Sequence, residues 1–230
     1  MDGKSRTFEL SLPPEYDPSH PYPLVFAWHG GDSRGAWAQS YFGVEEEAGS
    51  DAIVVYPDGL EDAWGSTGWE VDPDGHDFVL FDALLAHLEA NLCIDRTRLY
   101  SVGFSWGAYF SNSLGCYRGD VLTAFASVAG GPPRPKGEDD PMYYGDCSGQ
   151  AAAWVAHGTA DTVIPLYEGE NARDVFLDNN GCQPTSSPTV PDPCVAYDGC
   201  ATPVHWCQHA GGHDWPAFAP SGIWAYFAGQ

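Results

Sequence analysis

Short apolar runs recur along the chain at intervals that leave room for a helix between them. Residues 24–28, 52–56, 98–102, 123–128, 151–156 and 204–208 are of this kind, as expected of strands buried on both faces. Residues 7–12 alternate like a half-buried strand, and Pro13-Pro14 stops it. Segments 41–48, 77–91, 106–116, 167–179 and 221–228 are compatible with helix. In 77–91 the apolar residues Phe78, Phe81, Leu84, Leu85 and Leu88 keep helical spacing, and Asp77 is placed to cap the helix. Alternating strands and helices predict an α/β fold, a mostly parallel central sheet with helices on both faces. In such a sheet ligands bind beyond the carboxyl ends of the strands. No linker and no internal repeat interrupts the pattern, so residues 1–230 read as a single domain.

Against that pattern, four segments that follow strands carry chemistry. Gly103-Phe104-Ser105-Trp106-Gly107 joins the run 98–102 to the helical run that follows. A serine between two glycines at a strand-to-helix turn is a nucleophile elbow, in which a tight turn lifts the hydroxyl clear of the sheet. Asp161 follows the run 151–156 in a turn closed by Pro165, and His213 lies on Gly211-Gly212 after the run 204–208. The order Ser105, Asp161, His213 is that of the α/β-hydrolases. It assigns Ser105 as nucleophile, His213 as general base and then acid, and Asp161 as the carboxylate that fixes the imidazole. His29-Gly30-Gly31-Asp32 follows the run 24–28. The backbone N–H of Gly31, with Gly30 as alternative, would form an oxyanion hole with the N–H of Trp106. His29 would hold that loop. Asp214 competes weakly with Asp161, because neighbouring side chains point apart.

Composition narrows the function classes. Thirty-two acidic against nine basic residues give a formal charge of −23, which repels a phosphate backbone and speaks against nucleic acid as partner. No apolar run approaches the ~20 residues of a membrane helix, so no membrane partner is expected. Residues 1–6 lack the apolar core of a signal peptide. Seven cysteines fit an oxidising compartment, and the chain reads as the mature form of a secreted protein. Residues 194–197 and 204–207 read as a hairpin in which Cys194 lies opposite Cys207. Cys182 is then left for Cys200. Cys93 and Cys116 bracket the elbow unit and form the next expected pair, with Cys147 free.

His205, His209 and His213 are spaced as a metal face on a helix would be, but Pro203 and Gly211-Gly212 argue against a helix, and no metal is expected. Asp72 to Asp77 lacks the spacing and terminal Glu of an EF-hand, so a turn and a helix cap are expected there. Trp64, Trp69 and Trp215, with Tyr143 and Tyr144, stand on candidate rim loops. Their flat faces would suit a phenyl ring or a sugar.

The chain resembles secreted feruloyl esterases of the carbohydrate-esterase kind, which are related to polyhydroxybutyrate depolymerases. The matching residues are Gly103 to Gly107, Tyr56-Pro57-Asp58-Gly59, His157 to Asp161, Asn180-Gly181-Cys182, Tyr197 to Cys200, and Gly211 to His213. The likeness runs from about Thr7 to Phe227. It implies cleavage of hydroxycinnamoyl esters on plant polysaccharide, or of a small aromatic ester, without metal or organic cofactor; a monomer is expected. Ala108 stands where relatives carry a second glycine. Acetylxylan esterases and polyester depolymerases share the triad and remain the alternatives. A non-catalytic binding module on the same fold is the rival from another class.

Overall fold

The computed structural model describes residues 5–61, 65–133 and 147–230. Eleven strands and six helices follow one another among the described residues. The order is β1 (Phe8–Ser11), β2 (Tyr22–Trp28), α1 (Gly35–Phe42), α2 (Val44–Ala48), β3 (Ile53–Pro57), β4 (Leu60–Glu61), β5 (Thr67–Gly68), α3 (His76–Asn91) and β6 (Ile94–Phe104). The second half adds α4 (Trp106–Tyr117), β7 (Ala124–Val128), β8 (Ala152–Gly158), α5 (Leu166–Asn179), β9 (Ser186–Pro188), β10 (Cys194–Tyr197), β11 (Val204–His209) and α6 (Ala219–Ala228).

Nine strands form one sheet in the order β1-β3-β2-β6-β7-β8-β11-β10-β9. The six strands from β3 to β11 run parallel. Antiparallel β1 closes one edge, and antiparallel β10 and β9 close the other. The small β4–β5 ribbon stands apart.

Strands with both faces covered explain the apolar runs. In β2, Val25 and Ala27 turn to the core beneath α1, α2 and α6, where Phe42, Ile223 and Phe227 are buried. Leu24, Phe26 and Trp28 turn to the opposite core beneath α3, α4 and α5, with Phe81, Phe110 and Phe176. The two cores are therefore separated by the sheet itself, and every position of β2 is buried.

Three details differ from the sequence reading. The expected helix over 41–48 is two helices, because Gly43 adopts φ +65° and breaks the path between α1 and α2. Asp77 does not cap α3; Gly75 is the N-cap residue. Asp77 lies one turn inside, buried against Arg6 and accepting the Glu70 N–H at 2.6 Å, while the Glu70 carboxylate accepts the first helical N–H, that of His76, at 2.8 Å.

The third concerns the cysteines. Bridges join Cys182 to Cys200 and Cys194 to Cys207, the latter pair standing opposite each other in the β10–β11 register. The expected Cys93–Cys116 bridge is not formed: Cys116 is bridged to Cys147, and Cys93 is free. The reason is a backbone contact between segments distant in the chain. Ser148 donates its N–H to the Cys116 carbonyl at 2.8 Å, which delivers Cys147 to the end of α4. Cys93 is held elsewhere, its N–H on the Tyr16 hydroxyl and its carbonyl on the Tyr22 N–H.

Candidate active site

The carboxyl ends of β2, β6, β8 and β11 meet at one edge of the sheet, and each delivers one part of the site. From β6 the chain enters α4 through Ser105, which adopts φ +55° and ψ −116°. That conformation costs a non-glycine residue about 1–3 kcal/mol, and the surroundings leave it no alternative. A Cβ on Gly103 would lie 2.0 Å from the Gly107 carbonyl, and one on Gly107 would lie 2.0 Å from the Trp28 carbonyl. The Ser105 N–H is tied to the Val128 carbonyl of β7 at 2.9 Å. The hydroxyl therefore projects beyond the sheet at the amino end of α4, where the helix dipole and unsatisfied N–H groups favour negative charge.

Asp161 sits just past β8, its side chain fully buried. Its Oδ1 accepts the N–H groups of Val163 and Ile164 at 2.8 and 2.9 Å, and its Oδ2 lies 2.8 Å from His213 Nδ1. Burial pushes this carboxyl up, but hydrogen bonds from His213, Ile164 and Val163 outweigh burial and hold it below its ordinary value. A carboxylate can only accept, so Nδ1 carries the proton and Nε2 is left as an acceptor. Nε2 lies 2.9 Å from Ser105 Oγ. The imidazole thus bridges hydroxyl and carboxylate in the tautomer that lets it take the serine proton.

The surrounding residues hold this arrangement. His157 bonds the Ile164 carbonyl through Nε2 at 2.9 Å, fixing the turn whose N–H groups grip Asp161. Burial lowers the His157 pKa. Asp214 points elsewhere, accepting the Gly212 N–H at 3.1 Å. His29 accepts the Gly59 N–H on Nε2 at 2.9 Å and bonds the Gly30 carbonyl through Nδ1 at 2.6 Å, which anchors the loop after β2. Gly31 on that loop lies against the Trp106 ring, its Cβ position 3.2 Å from Cε3.

The aromatic candidates fare differently. Trp69 is not at the rim: it is 3% exposed, its Nε1 donates to the His29 carbonyl at 2.8 Å, and its ring stacks on Phe110. Trp215 turns its face onto Phe42 with centroids 4.3 Å apart and gives its Nε1 to the Phe42 carbonyl. Its backbone N–H bonds the Tyr41 hydroxyl at 2.9 Å. It secures the His213 loop with one face on Phe42 and remains partly exposed. Trp64, Tyr143 and Tyr144 lie outside the described residues.

The ring that reaches the site is Trp106, which the sequence reading weighed only for its backbone. It is 47% exposed and donates its Nε1 to the Trp69 carbonyl at 2.8 Å. With Val71, Ser105, Tyr109, Val163 and Ile164 it lines a mainly apolar cleft of about 420 Å³. The signal for it was its place beside the nucleophile, since the side chain after an elbow serine stands at the crevice.

A parallel sheet with serine, histidine and carboxylate gathered at its carboxyl edge defines the class: an α/β-hydrolase with the constellation of a serine ester hydrolase. Similarity to known proteins agrees. No protein-family model matches the chain. Feruloyl esterase C of Emericella nidulans is 32% identical over 240 residues, which cover 96% of this chain and 83% of that protein. Feruloyl esterase D of Neurospora crassa is 32% identical over 257 residues, covering 99% and 83%. Among solved structures, the acetyl xylan esterase from Aspergillus awamori superposes with a TM-score of 0.76 at 14% identity, covering 96% of this chain and 94% of its own. A ferulic acid esterase from Anaeromyces mucronatus, in complex with ferulic acid, gives 0.61 at 19% identity, covering 96% and 84%. The chain belongs to the feruloyl esterase family.

Proposed function

We propose that this protein hydrolyses hydroxycinnamoyl esters of plant polysaccharide through an acyl-enzyme. The Ser105 hydroxyl attacks the ester carbonyl as its proton passes to His213 Nε2. The carbonyl oxygen, now an oxyanion, is received by the N–H groups of Gly31 and Trp106. Collapse of the tetrahedral intermediate breaks the ester C–O bond, and His213 returns the proton to the departing alcohol. Water then enters, gives a proton to His213 and attacks the acyl carbon. Collapse releases the acid, with the proton returned to Ser105. Asp161 holds the imidazole tautomer and stabilises its cationic form in both halves.

One observation carries this reading: His213 lies within hydrogen-bond distance of both Ser105 and Asp161, at 2.9 and 2.8 Å, where an apolar cleft opens on the serine. A cleft of about 420 Å³ is far larger than an acetyl methyl needs. Its flat Trp106 and Tyr109 walls suit an aromatic acid. Three disulfides support a secreted enzyme, and a charge of −23 opposes self-association, in keeping with a monomer of one domain.

The test is a comparison of kcat/KM on methyl ferulate, acetylated xylan and a hydroxybutyrate oligomer. Methyl ferulate should be preferred, and Ser105→Ala should abolish its turnover without unfolding the protein. A preference for acetylated xylan or the oligomer would refute the acyl assignment, and retained turnover in Ser105→Ala would refute the nucleophile.

A further inference from the structure

Trp37 on α1 is 60% exposed, which is unusual for so large an apolar ring. Its indole is not loose. It stacks on Tyr41 with centroids 5.4 Å apart and planes 21° from parallel. Tyr41 meets Phe104 at 5.9 Å, and Phe104 meets the His213 imidazole at 5.0 Å. An unbroken row of rings therefore leads from the proposed base outward to Trp37.

Trp37 also borders a second cleft, of about 530 Å³, whose lining includes Gly31, Asp32 and Arg34. This cleft shares no lining residue with the apolar one at Ser105. Asp32 adopts φ +55°, and two bonds keep it there. Its N–H is held by the Thr67 carbonyl at 2.8 Å, and its Oδ1 accepts the Ser66 hydroxyl at 2.6 Å. A strained acidic residue is thus fixed between the proposed oxyanion donor and an exposed ring.

The chemistry of ester cleavage gives the two clefts different tasks. The acyl group occupies the apolar cleft at Ser105, and the alcohol must depart on the side where His213 Nε2 returns the proton. The row of rings links the Trp37 cleft to His213, and it is the cleft that the acyl group leaves free. A cleft with one open aromatic face and charged side chains of both signs does not suit a second apolar group, which would cover the charges of Asp32 and Arg34. It suits a sugar ring, with a C–H face to lie on the indole and hydroxyls to meet a carboxylate and a guanidinium.

We propose that Trp37, Asp32 and Arg34 form a binding subsite for the sugar that carries the ester, separate from the acyl cleft. The proposal rests on the esterase reading above and adds the recognition of the leaving alcohol to it. The sugar stacks on Trp37 with its esterified oxygen toward His213, and the remaining chain of the polysaccharide leads away over the open end of α1.

The experiment compares kcat/KM on a feruloylated arabino-oligosaccharide with kcat/KM on methyl ferulate, which has no sugar. In Trp37→Ala the ratio of the two should fall about tenfold, the scale of one lost aromatic contact. Trp37→Phe should restore most of it. Arg34→Ala, a change of an exposed side chain, should lower the same ratio about threefold and provides the readout if Trp37→Ala fails to fold. A ratio unchanged within about twofold in either folded variant would overturn the subsite while leaving the esterase reading intact. A wild-type protein inactive on both esters would overturn the esterase reading and the subsite with it.

Discussion

Ser105 stands at the end of β6, an inner strand with β2 on one side and β7 on the other, whereas His213 hangs from a loop beyond β11, toward the antiparallel edge. The elbow is held almost wholly by backbone: two glycines without room for a Cβ and one N–H bonded across to β7. The histidine loop is held by side chains as well as backbone: Ala160 donates its N–H to the Gly211 carbonyl at 3.0 Å, and Trp215 stacks on Phe42 and bonds Tyr41 and Phe42. Outside it, β9 is exposed along its whole length, and two disulfides secure the segment from Cys182 to Cys207. Where burial in the sheet runs out, covalent bonds and stacked rings replace it. The nucleophile side should therefore fail through geometry, and the base side through stability.

The largest effect is expected at the elbow. In Gly107→Ala the new methyl would meet the Trp28 and His29 carbonyls and displace both Ser105 and the Trp106 N–H. On the proposed mechanism a misplaced nucleophile and a lost oxyanion donor each cost about a hundredfold, so kcat on methyl ferulate should fall about ten-thousandfold. An activity within about tenfold of wild type would show that the elbow tolerates a shift. Removing the Cys194–Cys207 bridge, which closes a separation of 13 residues, should instead lower stability by about 3 kcal/mol. Urea denaturation of Cys194→Ala/Cys207→Ala reads that loss, and kcat of the protein that remains folded should change much less than in Gly107→Ala.

Acid should loosen the molecule in a defined window. Burial is the main cause holding His29, His157, His205 and His209 below their ordinary value of 6.5. The unfolded chain takes protons that the folded one resists. Their contribution is fully present above pH 6.5 and is lost as pH falls below it. Each such histidine gives a slope of at most about 1.4 kcal/mol per pH unit. Melting temperatures measured between pH 7 and 5 should fall, and His205→Phe on β11 should flatten the fall. The smallest effect belongs to Asp214→Asn. Among the described residues its carboxylate accepts the neighbouring Gly212 N–H, which an amide oxygen also accepts, so kcat should stay within about twofold of wild type.

Much of the inner region was legible in the sequence because its signals are local. The apolar runs at 24–28, 123–128 and 151–156 match β2, β7 and β8 closely, since a strand covered on both faces has no freedom in composition. The segments holding Ser105, Asp161 and His213 were legible because glycines and strand ends fix where a side chain can emerge. What the sequence hid depends on long-range return of the chain. Cys147 meets Cys116 where Ser148 bonds the Cys116 carbonyl, a long-range contact that no spacing reveals. Trp69 looks like a rim residue, but directly after β5 its indole is sent to the His29 carbonyl. Trp37 was passed over because α1 begins at Gly35, ahead of the expected helix, and an indole at its first turn shows its value only beside Tyr41 and the cleft.

The account depends on His213 activating Ser105 across loops that are distant in the chain. The most direct measurement is mass-spectrometric mapping of the adduct formed with a fluorophosphonate, in the wild-type protein and in His213→Ala. The adduct should fall on the peptide containing Ser105 and should form at least about a thousandfold more slowly in His213→Ala. A label on another serine, or equal labelling rates in the two proteins, would contradict it.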